Sequence, residues 1–168
     1  MPEPDLINKI TEAAECTQSV GQEAELRYRK FIIVGIMDKR FAIPATVIRE
    51  IVIDVPLHFV PFVPPYISGF VNRHGEPYTV VDLGVLFEQK ATEERSFLVL
   101  NVPDDQLAFL VSDIHEIVKV PETDAFPITE KLEDERFFEG SVRLGTDDVF
   151  IVSVDGIRTR LAGDLGKP

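Results

Sequence analysis

Phe31-Ile32-Ile33-Val34-Gly35-Ile36-Met37-Asp38-Lys39-Arg40-Phe41-Ala42-Ile43-Pro44-Ala45-Thr46-Val47-Ile48-Arg49-Glu50-Ile51-Val52 lies over Phe97-Leu98-Val99-Leu100-Asn101-Val102-Pro103-Asp104-Asp105-Gln106-Leu107-Ala108-Phe109-Leu110-Val111-Ser112-Asp113-Ile114-His115-Glu116-Ile117-Val118 without a gap, at an offset of 66 residues. Seven pairs are identical: Phe31/Phe97, Asp38/Asp104, Ala42/Ala108, Ile48/Ile114, Glu50/Glu116, Ile51/Ile117 and Val52/Val118. Composition alone gives about one or two such matches. Further along, an offset of 71 sets Gly69, Val71 and Val81 over Gly140, Val142 and Val152. Each half reads as strand, turn, strand, a strand ending Glu-Ile-Val, and a Gly-led hairpin. The repeat predicts two similar small β units, each too small to bury its apolar faces well alone, joined along a hydrophobic seam. The expected division falls near residue 90, with strands exchanged near the ends. The seam should bury Ile33, Val80, Val99 or their immediate neighbours.

The rest of the chain agrees with an all-β body. Short apolar runs rich in branched residues alternate with turn clusters such as Pro103-Asp104-Asp105 and Gly145-Thr146-Asp147-Asp148. Helix is expected only in short pieces: Leu83–Glu88, Asp155–Ala162 with Asp155 as its cap, and Leu6, Ile7, Ile10, Ala13 and Ala14 near the N-terminus. Residues 17–23 are polar and read as linker. In 168 residues, Lys+Arg number 17 and Asp+Glu 29, a net charge of −12 that disfavours nucleic acid and anionic membrane surfaces. No apolar run approaches the roughly 20 residues of a membrane helix, and the start lacks a basic signal-peptide head. The lone cysteine, Cys16, excludes an internal disulfide, and the expected compartment is the cytoplasm.

The search for chemistry yields a binding module rather than an enzyme. His58, His74 and His115 share no ligand spacing, and no phosphate loop or nucleophile motif occurs. The acidic pairs Asp104-Asp105 and Asp147-Asp148 fall in expected hairpin turns, where Asp serves turn geometry. Glu133-Asp134-Glu135 reads as a solvated loop. No cofactor and no metal are expected. Binding-like features gather between Glu50 and Leu83. Val60-Pro61-Phe62-Val63-Pro64-Pro65-Tyr66 has too much proline for a central strand and reads as a stiff connection lying on the body through Phe62 and Tyr66. Asn72-Arg73-His74-Gly75 then forms a polar tip between two strands, with Gly75 free to take positive φ.

Gly69-Phe70-Val71-Asn72-Arg73-His74-Gly75 followed by Thr79-Val80-Val81-Asp82-Leu83 resembles the hallmark of the CheW-like chemotaxis coupling family. Phe41-Ala42-Ile43-Pro44, Val47-Ile48-Arg49-Glu50-Ile51, Pro64-Pro65-Tyr66-Ile67-Ser68-Gly69 and Phe138-Glu139-Gly140 flank it in the family's order. The resemblance implies two SH3-like five-stranded β-barrels sharing a hydrophobic core, with short helices at the N-terminus and C-terminus. It divides the chain into a tail at 1–28, a CheW-like domain at 29–163 and a C-terminal tail at 164–168. It implies a non-enzymatic adaptor between the chemoreceptor cytoplasmic tip and the regulatory domain of a CheA-type histidine kinase, cytoplasmic and associated with membrane-bound receptor arrays. The alternative is a structural CheW-like scaffold in another chemosensory system, such as one for surface motility, without direct kinase activation.

The tip departs from the family pattern. Arg73-His74 replaces a Leu-Arg pair, and Thr79 replaces a proline. The residues expected to meet partners are Ile48, Glu50, Val52, Asn72, Arg73, His74 and Gly75. Ile48 and Val52 are expected on one face of their strand, with Arg49 and Ile51 on the other. On a straight strand His74 takes the place of the family arginine opposite Glu50, which is the expectation; a bulge that swings Arg73 round to Glu50 is the alternative.

Overall fold

Runs of consecutive apolar residues, rather than strict alternation, mark strands buried on both faces. The computed structural model, which describes residues 26–128 and 137–165, contains that arrangement twice. Its strands are β1 (Tyr28–Ile36), β2 (Lys39–Pro44), β3 (Ile48–Ile53), β4 (Ile67–Arg73), β5 (Glu76–Asp82), β6 (Ser96–Leu100), β7 (Leu107–Val111), β8 (Asp113–Pro121), β9 (Ala125–Pro127), β10 (Phe138–Leu144) and β11 (Asp147–Val152). Two α-helices accompany them among the described residues, α1 (Leu83–Glu88) and α2 (Val154–Leu165). The chain is all-β, built as two SH3-like barrels.

The strand order is β3-β6-β7-β5-β4 in the first sheet and β8-β1-β2-β11-β10-β9 in the second. Under the sequence repeat the five strands of the first sheet correspond in order to the first five of the second, and β9 is the one extra strand. In each, one parallel pairing joins the two hairpins, β5 to β7 and β2 to β11. Across the expected division near residue 90 the exchange is of whole hairpins, one given by each half to the other. β1–β2 pairs with β8 and β11, while β6–β7 pairs with β3 and β5.

That exchange explains why both hairpins are so apolar. In β1, Phe31 and Ile33 fill the second barrel with Ala42, Val120, Val142, Val149 and Ile151. Their neighbours Ile32, Val34 and Ile36 face the seam. In β6, Phe97 and Val99 fill the first barrel with Val71, Val80 and Ala108, while Leu98 and Leu100 face the seam. The seam therefore takes the immediate neighbours of Ile33, Val80 and Val99, not those residues themselves. An aliphatic or aromatic side chain fully buried this way contributes about 1.5 to 3 kcal/mol.

The glycines matched by the repeat have one job. A Cβ on Gly69 would stand 2.0 Å from the His58 carbonyl oxygen, and one on Gly140 would stand 2.3 Å from that of Phe126. At each, the register of the hairpin shifts by one residue, and the crossing segment pairs with the strand just beyond. Helix starts are also matched. The buried Asp82 carboxylate caps α1, accepting from the Gly84 and Val85 amides, and also takes the Thr92 amide and hydroxyl. At the equivalent place, Ser153 Oγ accepts from the Gly156 amide at 3.1 Å, so Ser153 caps α2 in place of Asp155. β1 starts one residue before the expected boundary at 29 and α2 runs past 163 to Leu165. The expected N-terminal helix, Cys16 and Glu133-Asp134-Glu135 lie outside the described residues.

Candidate functional site

β3 and β4 are the two end strands of the first sheet, and the β4–β5 hairpin reaches β3 through the side chains of Arg73 and Glu50. Pairing in the hairpin runs without a slip from Phe70↔Thr79 to Arg73↔Glu76, which leaves His74 and Gly75 as a two-residue turn. Both have positive φ, 53° and 81°, the arrangement whose twist matches antiparallel strands. Asn72 Oδ1 accepts from the Gly75 amide at 3.0 Å and closes the tip. Asn72 and Gly75 thus shape the turn.

The turn decides which residue meets Glu50. Arg73, the last strand residue, donates from Nε to Glu50 Oε1 at 2.5 Å. His74 stands out at the turn with its side chain 81% exposed, its Nε2 3.9 Å from Glu50 Oε2. The expectation that His74 replaces the family arginine is therefore corrected. Alternation stops at Arg73 because the chain has already left the strand, and no bulge at the tip is needed. The hydrogen bond from Arg73 chiefly holds the Glu50 carboxyl below its usual pKa, against desolvation that raises it; the charges of Arg73, His74 and Arg49 add to the lowering. Arg49 itself donates to Tyr78 Oη at 2.9 Å.

The faces of β3 also differ from expectation. Val52 is 7% exposed and packs inside the first barrel, and Ile48 packs half-buried against the seam. The register slips between Ile48 and Glu50, and the apolar side chains left outside are Ile51 and Ile53, at 39% and 64%. Beyond them the proline-rich connection is pinned at one end, where His58 exchanges backbone hydrogen bonds with Phe70 and stacks on its ring at 4.9 Å. Tyr66 is buried, but Phe62 points fully into solvent at φ +60°, and Phe59 is also exposed. Tyr66 and, in part, Val63 lay the connection against the body, and Phe62 does not. Sequence reasoning missed Ile51, Ile53, Phe59 and Phe62 as outward residues; the mixed apolar pattern of β3 carried no parity signal.

The histidines serve separate places: His58 on Phe70, His74 at the tip, and His115 with Nδ1 3.8 Å from Asp113. Among the described residues no three His, Cys, Asp or Glu side chains gather to hold a metal, and no helix is long and apolar enough to cross a membrane.

Known proteins share this arrangement. Residues 30–161 match the family described as CheW-like domain. Chemotaxis protein CheW of Helicobacter pylori is 29% identical over 133 residues, covering 77% of this chain and 79% of the relative. Chemotaxis protein CheW of Rhizobium meliloti is 25% identical over 134 residues, covering 77% and 86%. Among solved structures, scaffolding protein TtCheW from Thermoanaerobacter tengcongensis shares the fold with a TM-score of 0.70 at 19% identity, over 76% of this chain and 90% of that one. Because the match runs through both barrels, the exchanged hairpins and the tip at Arg73, the chain belongs to the CheW-like family.

Proposed function

We propose that the chain is a non-enzymatic adaptor of a chemotaxis pathway, joining chemoreceptor cytoplasmic tips to the regulatory domain of a CheA-type histidine kinase at membrane-bound receptor arrays. Its relatives named as chemotaxis proteins support the pathway. The observation that carries the contact surface is the outward pair Ile51 and Ile53 on β3, beside a hairpin tip fixed by Arg73 and Glu50. Exposed aliphatic side chains on a strand whose backbone is held along one side by β6 suit a preorganised protein contact. Glu50, Asn72, Arg73, His74 and Gly75 border it. Ile48 and Val52 support it from within.

Calorimetric titration with the kinase regulatory domain tests this reading. Ile51→Glu and Ile53→Glu should each weaken binding at least tenfold, about 1.4 kcal/mol, with the unfolding midpoint unchanged. Val52→Glu should unfold the first barrel instead, since it buries a charge in an apolar core. If the wild-type chain does not bind the kinase domain, the adaptor reading fails. If both exposed variants bind normally, this surface is the wrong one.

A further inference from the structure

The segment between β3 and β4 holds two phenylalanines away from the body. Phe59 is 81% exposed and Phe62 fully exposed, and neither ring has an aromatic or cationic partner among the described residues. The matching crossing segment of the second barrel differs. There Phe126 lies under the Arg143 guanidinium, 5.3 Å from its ring centre.

The backbone is strained where it displays these rings. Phe62 sits at φ +60°, where Cβ crowds the following carbonyl oxygen, a conformation that bulky L residues rarely adopt. The segment is nevertheless held at both ends. His58 exchanges backbone hydrogen bonds with Phe70 at 2.8 and 2.9 Å, and the Ile67 amide donates to the Pro64 carbonyl at 2.9 Å. The Tyr66 hydroxyl donates to Asp164 Oδ2 at 2.6 Å. Between those points Pro61, Pro64 and Pro65 fix their own φ. Apolar rings displayed on a stiff backbone lose little freedom on binding, and aromatic residues are enriched at the cores of protein interfaces.

Charge and position narrow the partner. The net charge of −12 opposes a second copy of the chain and an anionic lipid surface alike. The segment follows Ile53 directly, and His58 pairs along β4, the end strand whose Arg73 reaches Glu50 on β3. Its rings therefore continue the apolar edge begun by Ile51 and Ile53.

We propose that Phe59 and Phe62 are the anchors of that contact, each filling an apolar pocket of the kinase regulatory domain, with the left-handed turn at Phe62 presenting its ring. This rests on the adaptor reading, and adds to Ile51 and Ile53 the residues that set how tightly the partner is held.

Calorimetric titration of the full chain with the kinase regulatory domain provides the first test. Phe59→Ser and Phe62→Gly should each weaken binding about tenfold or more. Glycine takes positive φ without strain, so Phe62→Gly should keep or raise the unfolding midpoint, whereas loss of a ring that served only the fold would lower it. The chain has no tryptophan, so fluorotryptophan in Phe62→Trp gives a single fluorine-NMR signal. That signal should shift and broaden when unlabelled kinase domain is added. With wild-type binding intact, normal affinity in both variants, a lowered midpoint in Phe62→Gly or an unmoved fluorine signal overturns the anchor assignment and leaves the adaptor reading standing. A signal that broadens with the chain's own concentration assigns the rings to a second copy and overturns it as well. Absence of wild-type binding to the kinase domain sinks the adaptor reading, and the anchors with it.

Discussion

In the first barrel the outward strand reads Glu50-Ile51-Val52-Ile53, and in the second the equivalent strand reads Glu116-Ile117-Val118-Lys119. Ile53 is paired across the ladder with Ser96, while Lys119 is paired with Lys30. Glu50 is held by Arg73; the residue equivalent to Arg73 is Leu144, and Glu116 has no ion pair among the described residues. Inside, the two barrels hardly differ, since each packs the inward residues of an exchanged hairpin against its own Gly-led hairpin. Backbone crossings and core volume tolerate little variation, whereas outward side chains cost little to change. One backbone plan thus yields an apolar face and a basic one.

The sharpest way to break the equivalence is at the matched glycines. Gly69→Ala adds a contact at 2.0 Å to backbone and forces alanine to φ +139°, so a loss above about 3 kcal/mol is expected in urea denaturation. Gly140→Ala meets backbone at 2.3 Å without a positive φ, and about 1 to 3 kcal/mol is expected. Equal and negligible effects at both would show that the crossings relax easily and that the repeat is not a shared backbone demand.

The helix caps sharpen the comparison at lower cost. Asp82→Ala leaves the amides of Gly84 and Thr92 and the Thr92 hydroxyl without their acceptor in a buried place, for about 2 kcal/mol. Ser153→Ala removes one capping bond at the start of α2, for about 1 kcal/mol. Thermal unfolding of the two variants should rank them in that order; the reverse order would mean that the seam leans more on α2 than on α1.

The smallest effect separates Glu50 from Glu116. Because the Glu50 carboxyl is held below its usual pKa, the stability it brings is whole above the ordinary carboxylate range and is lost as pH falls through the depressed value. Arg73→Ala should therefore cost under about 1 kcal/mol at neutral pH, after solvent screening of a partly exposed pair, and nothing once Glu50 is protonated. Arginine stays charged throughout, so no change is expected across neutral pH. Glu116→Gln should leave stability unchanged. Denaturation of both variants across acidic and neutral pH checks the pair.

By itself the sequence determined the repeat, and through it the equivalence of strands, turns, glycines and helix starts. These are local or comparative signals: apolar runs, turn residues at hairpin ends, and Glu-Ile-Val endings in register. It also placed Glu50 and the 72–75 tip together through family resemblance. Only the tertiary structure decided that β1–β2 and β6–β7 change places, because the pairing of Tyr28 with Pro121 is set by global packing of two strands far apart in the chain. The same distance hid the inward parity. Phe31–Ile36 and Phe97–Leu100 are apolar at every side-chain position but Gly35, so nothing local says which residues fill a barrel and which fill the seam. And a two-residue turn, closing one position before a straight strand would, gave Glu50 to Arg73 and left His74 in solvent.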